Sequence, residues 1–168
     1  LVSGPVTLHT VHPHIHRIDV ESAAEMHQAA AEAFKEADAG ILCAAVADFT
    51  PEQVAAQKIK REKDDLVLRL KPTCDIAASL GKEKRPGQVL VGFALETCDE
   101  VSHAQDKLAR KNFDFIVLNS LNDKGAGFRC DTNKITIIDR SEAVSYPLKS
   151  KKEVAEDIVD KLSSLFHS

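Results

Sequence analysis

The chain has 168 residues, 43% of them hydrophobic and 29% charged, and a formal net charge of -4. That length suits one domain with a substantial core, and the negative balance excludes general nucleic-acid binding, which needs an excess positive field. Cys43, Cys74, Cys98 and Cys130 are scattered without a C-x-x-C pair, the pattern of reduced cytosolic thiols rather than of a zinc site or a disulfide scaffold. No apolar run approaches a membrane span and no signal-peptide pattern is present, so a cytoplasmic protein with no membrane partner is expected.

Leu1 to Pro5, LVSGP, reads as the end of a strand entering a turn, as though an earlier strand–helix unit were missing. Val6 to Arg17 carries His9, His12, His14 and His16 around Pro13. On an extended chain the last three share a face, but no carboxylate or thiolate at useful spacing joins them, and the stretch reads as a surface loop. Ser22-Ala23-Ala24-Glu25 is a capping box, and Met26, Ala29, Ala30, Ala33, Phe34 and Ala37 then recur at helical spacing.

The rest of the chain is arranged around Gly40 to Arg61. Ile41 to Ala47 is an apolar run with no polar face, bounded by Gly40 and Asp48, which predicts a strand buried on both sides. Ala44, Ala45 and Ala47 are poor strand formers, and small side chains at a strand end leave room for a ligand or another backbone. Asp48 stands where the strand should emerge, the place where open α/β sheets bind ligands. A polar loop with Lys58, Lys60, Arg61 and Lys63 follows. A carboxylate beside a cluster of cations fits a phosphorylated ligand; a helix-capping Asp48 and a solvated basic loop is the structural alternative. Leu66, Leu68 and Leu70 alternate with Val67 and Arg69 as a short strand. Pro72-Thr73-Cys74-Asp75 ends it and opens a short helix closed by Gly81, with Thr73 and Asp75 as caps and N–H groups that can face a ligand.

Gln88 to Leu95 is a second buried strand in which Gly92 admits close backbone approach. Thr97-Cys98-Asp99-Glu100 is another capping box, and its helix carries Lys107 and Lys111 one turn apart. Phe113 to Asn119 is a third buried strand, followed by a turn-rich loop, Asn122 to Phe128. Gly125 and Gly127 do not complete a dinucleotide fingerprint, because no glycine stands three places after Gly127 and a strand, Lys134 to Asp139, follows where a helix is required. Ile135 to Ile138 and Val144 to Leu148 read as a hairpin at the sheet edge, where Pro147 is tolerated. A third capping box, Ser150 to Glu153, starts the last helix, with Val154, Ile158, Leu162 and Leu165 as its buried stripe.

Alternating buried strands and amphipathic helices specify an α/β fold: a three-layer, doubly wound, Rossmann-like sandwich with a mainly parallel sheet and a C-terminal antiparallel hairpin. The strand ends at Ala47-Asp48, Ala94-Leu95-Glu96 and Asn119 gather on one edge. The Lys58 loop, the Thr73 to Ile76 turn, and Lys107 with Lys111 can all reach it.

Taken together, AAVADF, KIKR, PTCDI, GFALET, LARKNFDFIVLNSLNDKGAGF and DTNKITII resemble the bacterial phosphopantothenoylcysteine synthetase family, the ligase half of the coenzyme A biosynthesis flavoprotein. The resemblance implies one domain over residues 1–168 that joins 4'-phosphopantothenate to L-cysteine with CTP, through an acyl-cytidylate, in coenzyme A biosynthesis. Magnesium is expected with the triphosphate, its protein ligands being left open. The family's other half, a flavin-dependent decarboxylase, is absent from this chain, so no flavin is expected on it; that half would be fused or associated. A homodimer is implied as well.

The resemblance also implies site roles. Lys58 matches the flap lysine that holds the triphosphate, with Lys60 and Arg61 assisting. Lys107 and Lys111 match basic positions of the CTP site, and Asp48 matches a nucleotide contact acting through ribose or magnesium. Thr73, Cys74, Asp75 and Ile76 match the turn whose backbone reads the cytosine edge, and Phe93 packs against the nucleotide. Ala44 matches a position where a larger side chain obstructs acyl-cytidylate formation, and Asn119 falls on the acyl-substrate side.

Two departures stand out. Cys74 replaces the family's usual proline in the turn, which matters little if the contacts there are backbone ones. The family's glycine-rich opening and its asparagine-containing S-S-G segment are absent, so this chain alone is expected to bind CTP weakly or not at all and not to complete ligation. The rival readings are a non-catalytic nucleotide-binding or assembly module of the same fold, and a Rossmann oxidoreductase, which the missing fingerprint disfavours.

Overall fold

The structure is a computed structural model that describes residues 1–60, 65–96, 100–120 and 131–167. In chain order the elements are β1 (Val2–Ser3), β2 (Ile18–Asp19), α1 (Ala23–Glu36), β3 (Ala39–Leu42), β4 (Phe49–Pro51), β5 (Leu70–Pro72) and α2 (Ile76–Glu83). They continue with β6 (Val89–Glu96), α3 (Glu100–Arg110), β7 (Phe115–Ser120), β8 (Thr132–Asn133), β9 (Ile135–Asp139), β10 (Ala143–Ser145), β11 (Lys149–Ser150) and α4 (Lys151–Ser164). The backbone divides into two compact units, one of residues 1–30 and 44–76, the other of residues 31–43 and 77–168.

In the first unit β1 lies parallel to β2, with Val2 opposite Ile18. The histidine stretch between them is exposed, the surface loop the sequence predicts. α1 starts on its capping box: the Glu25 N–H donates to Ser22 Oγ at 3.2 Å and the Ser22 N–H to Glu25 Oε2 at 3.1 Å. Each bond satisfies a donor that the first helical turn leaves unpaired. β4 and β5 form an antiparallel pair with Phe49 opposite Pro72 and Pro51 opposite Leu70. The predicted strand at Leu66 to Leu70 is therefore displaced: only Leu70 belongs to β5, and Leu66, Val67 and Leu68 are exposed without strand pairing. Alternation alone sets no strand where no partner chain runs beside it.

The second unit is built on a five-stranded sheet in the order β10-β9-β7-β6-β3. β3, β6 and β7 run parallel, while β9 and β10 are antiparallel to their neighbours. Side chains alternate between its faces. Val89, Val91, Phe115, Val117, Ile135 and Ile137 face one way and form one core with Val154 and Ile158 of α4. Leu90, Ala94, Ile116, Leu118 and Ile138 occupy the other face and are also buried. α3 packs along β6, β7 and β9, and the ring of Phe113, just past its end, fills the space over Gly92. Helices on both faces of a largely parallel sheet make the expected three-layer α/β sandwich. Burying each of these large side chains contributes roughly 1.5–3 kcal/mol before the entropy of ordering it is subtracted.

Four details differ from the sequence reading. β3 ends at Leu42, residues 43–47 carry no regular structure, and Ile41 is 43% exposed, so this strand is not buried on both sides. It lies at the sheet edge, and the alanines beyond Leu42 add little to hold a strand there. Gly81 does not close α2, which runs through it to Glu83; a Cβ at Gly81 would overlap the Lys111 carbonyl oxygen, so the glycine serves a close backbone approach. Gly92 makes room for a ring and not for a backbone. The stripe of α4 stops at Leu162, since Leu165 is the exposed C-cap.

The C-terminal hairpin forms as predicted, Ile137 opposite Val144, although β10 ends at Ser145 before Pro147. The capping box of α4 forms too, with Glu153 N–H to Ser150 Oγ at 3.2 Å and Ser150 N–H to Glu153 Oε2 at 2.9 Å. Arg61, Lys63, most of the capping box at Thr97 to Glu100, and the loop Asn122 to Phe128 lie outside the described residues. Among the described residues no helix is long and apolar enough to cross a membrane.

Candidate functional site

In the first unit the motif around Asp48 and the turn at Thr73 are joined directly. The Thr73 hydroxyl donates to the Ala47 carbonyl at 2.7 Å, and the Thr73 N–H donates to the Asp48 carbonyl at 2.9 Å. The β4–β5 pairing produces this: β4 starts right after Asp48 and β5 ends right before Thr73, so the antiparallel register brings their outer ends together. Asp48 is followed by a strand, which removes the helix-cap alternative for it, and its side chain is exposed. Ala44 is exposed as well.

Of the two caps expected in the turn, Thr73 is not one: the helix starts three residues on, and the Thr73 hydroxyl donates to the Ala47 carbonyl. α2 opens at Ile76, so the first-turn N–H groups stand beside Cys74 and Asp75, whose side chains are exposed. Ile76 is 9% exposed and belongs to the core, which leaves its backbone as the part able to meet a ligand. Lys58 and Lys60 are exposed on the segment that leaves β4. Among the described residues no three His, Cys, Asp or Glu side chains gather as a metal cage. An exposed carboxylate such as that of Asp48 is the donor type magnesium takes beside a triphosphate.

The second unit holds Phe93, Lys107, Lys111 and Asn119. The Leu90 carbonyl accepts from the Asp114 N–H on the β7 side at 2.8 Å, so by alternation the Phe93 carbonyl faces the opposite side. There the last β3–β6 pair is Leu42 with Gly92, and β6 runs on through Phe93–Glu96 without β3. The Lys107 ammonium donates to that Phe93 carbonyl at 2.9 Å. The Phe93 ring is partly buried against the α4 core.

α3 stops by a C-terminal motif with Asn112 in the left-handed region at φ 53°. The Phe113 N–H reaches the Leu108 carbonyl at 3.0 Å and the Asn112 N–H the Ala109 carbonyl at 3.3 Å, the paired bonds of a Schellman cap. Lys111 sits just before this cap, one turn beyond Lys107. Asn119 lies near the carboxyl end of β7, and its Oδ1 accepts from Asn133 Nδ2 at 2.9 Å. Sequence reasoning assigned no role to Asn133 or Asn112; the position of Asn133 in DTNKITII was the available signal for the first, and Asn after a basic helix end for the second.

The architecture defines a Rossmann-like α/β domain. The chain belongs to the family described as DNA/pantothenate metabolism flavoprotein C-terminal domain, which it matches over residues 1–165. It is 57% identical over 168 residues to a protein named cysteine/cysteine sulfinic acid decarboxylase, from an unknown prokaryotic organism, covering 99% of this chain and 47% of that protein. It is 42% identical over 166 residues to the coenzyme A biosynthesis bifunctional protein CoaBC of Bacillus subtilis, covering 98% of this chain and 41% of that protein. A crystal structure of the C-terminal domain of CoaBC matches with a TM-score of 0.80 at 34% identity, over 99% of this chain and 73% of that one. The chain thus spans less than half the length of either curated relative.

Proposed function

We propose that this chain is the phosphopantothenoylcysteine synthetase part of a CTP-dependent ligase. The observation that carries this reading is the pair of hydrogen bonds from Thr73 to Ala47 and Asp48. They join the two motifs, AAVAD and PTCDI, that the family resemblance assigns to the nucleotide. The similarity to CoaBC supports the pathway.

In this reaction the carboxylate of 4'-phosphopantothenate attacks the α-phosphate of CTP, and pyrophosphate leaves. The amine of L-cysteine then attacks the acyl carbon, an amide forms, and CMP departs with one former carboxylate oxygen. The first step brings an anion against a triphosphate, so cations must offset the charge on the attacking and leaving oxygens. Lys58 does this from its exposed segment, with Lys60, Lys107 and Lys111 as further cations and Asp48 as a ribose or magnesium contact. The small side chain at Ala44 leaves space for the acyl group. Magnesium, when bound, offsets triphosphate charge. A homodimer is the proposed assembly, and no flavin binds this chain.

Calorimetry on the full-length protein tests the reading, with CTP, ATP and NAD as titrants. CTP is expected to bind in preference to the other two. Preference for NAD contradicts the proposal, and binding of none favours an assembly module. A second reading draws on the name of the 57% identical relative: the chain belongs to an enzyme that decarboxylates cysteine or cysteine sulfinic acid. Carbon dioxide release from either compound without CTP-dependent amide formation would favour it.

A further inference from the structure

Asn119 is paired with Ile135 in the β7–β9 register, and Asn133 stands a short way before Ile135 in β8. The Asn133 Nδ2 donates to Asn119 Oδ1 at 2.9 Å, while Asn133 Oδ1 accepts the Lys134 N–H at 3.0 Å. The second bond determines the sense of the first. An amide whose oxygen is committed to a backbone N–H has only its NH2 left to turn toward Asn119, so the Asn119 atom it meets must be the oxygen. Asn119 then keeps its own NH2 as a donor, and among the described residues that donor has no protein acceptor.

The support beneath Asn133 is firm. β8 pairs with β11, Asn133 opposite Lys149 and Thr132 opposite Ser150. The Lys151 N–H donates to the Asp131 carbonyl at 2.9 Å, and Ser150 caps α4. Asn133 is thus held by one backbone ladder that runs from β11 into the start of α4, while Asn119 is held along β7.

We propose that Asn133 is a positioning residue that fixes the Asn119 amide with its NH2 offered to an acceptor oxygen of the acyl substrate. This rests on the ligase reading above. A donor fixed in advance at the acyl oxygen needs no reorientation as charge grows there during attack by the amine. Any substrate taken here carries a carboxylate or acyl oxygen in reach of that donor.

The substitution Asn133→Asp tests it in the full-length protein. The carboxylate still accepts the Lys134 N–H but cannot donate, so the Asn119 amide turns over and its oxygen replaces its NH2 toward the substrate. The expected result is a roughly tenfold or greater loss in kcat/KM for 4'-phosphopantothenate, the scale of one hydrogen bond. The KM for CTP and the melting temperature should stay unchanged. Combined with Asn119→Ala, Asn133→Asp should cost nothing more. If Asn133→Asp does not fold, Asn133→Ala, which frees the Asn119 amide, should show a smaller loss with the same split. Equal losses for CTP and 4'-phosphopantothenate, full additivity with Asn119→Ala, or no loss overturns the positioning role while the wild type still turns over. A wild type that releases no pyrophosphate from CTP overturns the ligase reading itself, and the substrate role of Asn119 with it.

Discussion

The Lys107 ammonium meets the Phe93 carbonyl oxygen at 2.9 Å, just past the last residue pair between β3 and β6. A strand edge exposed by the end of its neighbour is closed by a side chain from α3. The same cation is proposed to meet triphosphate, so its structural and binding parts need to be separated. Lys107→Gln keeps a donor for the carbonyl and removes the charge; Lys107→Met removes both. Both variants should lose CTP affinity by roughly tenfold or more, as loss of a charge-assisted bond does. Only Lys107→Met should also lower the melting temperature, by a few degrees for about 1 kcal/mol. Calorimetry beside thermal unfolding checks this, and equal unfolding of the two would assign Lys107 no capping role.

Lys58 is exposed in the first unit, and among the described residues its ammonium makes no ion pair or hydrogen bond. Lys58→Gln should leave the melting temperature unchanged and slow acyl-cytidylate formation by on the order of a hundredfold, the cost of a lost transition-state charge contact. Single-turnover pyrophosphate release measures it. A variant that forms the intermediate normally and stalls afterwards would move Lys58 to the second half-reaction.

Gly81 lies inside α2, where alanine would ordinarily stabilise a helix by about 1 kcal/mol. Here a Cβ would overlap the Lys111 carbonyl oxygen, and Asn112 Nδ2 is bound to the Gly81 carbonyl at 2.9 Å on the same side. Overpacking should win, and Gly81→Ala should destabilise by about 1–3 kcal/mol in urea unfolding. A stabilised variant would show that α2 can move away from the end of α3 at little cost.

Asp139 ties the β9–β10 turn to α4. Its Oδ1 accepts from the Ser141 N–H at 2.8 Å, the Ser141 hydroxyl at 2.7 Å and the Glu142 N–H at 2.9 Å, and its Oδ2 from Lys161 Nζ at 2.7 Å. Burial pushes the carboxyl up, but Lys161, Ser141 and Glu142 outweigh it and hold the group well below the usual carboxylate range. A depressed carboxyl contributes stability above its unfolded value, about 3.9, and loses it as pH falls through the folded value. Lys161 is raised by the same partner, so its share is present at neutral pH and is lost only as pH rises through its own folded value. Asp139→Asn should therefore cost about 1–3 kcal/mol at neutral pH, and the gap to wild type should narrow below about pH 4. A gap that stays constant into strong acid would remove the carboxylate from the account.

Periodicity predicted the buried interior of the second unit well. Val89 to Leu95 and Phe115 to Leu118 are unbroken apolar runs, and such runs have one stable use in a chain of this size, the middle of a sheet covered on both sides. Capping boxes at Ser22 and Ser150 were equally legible, because both bonds of the motif are local. The failures share a different cause. Where β3 stops, and that β4 and β5 pair across the Asp48 and Thr73 ends, depend on partners remote in sequence. Leu66 to Leu70 has the alternation of a strand yet only its last residue finds a partner. Of the site, residue types were readable, but the commitment of the Thr73 N–H to the Asp48 carbonyl and of Asn119 to Asn133 was not, since neither bond follows from spacing.

The proposed chemistry leaves a signature in a single atom. If the carboxylate of 4'-phosphopantothenate attacks CTP, one of its oxygens must remain on the departing nucleotide. With the full-length protein, L-cysteine, CTP and 4'-phosphopantothenate labelled with oxygen-18 in the carboxylate, mass spectrometry should find CMP carrying one labelled oxygen. Unlabelled CMP, or amide formation with no CMP at all, would contradict the account.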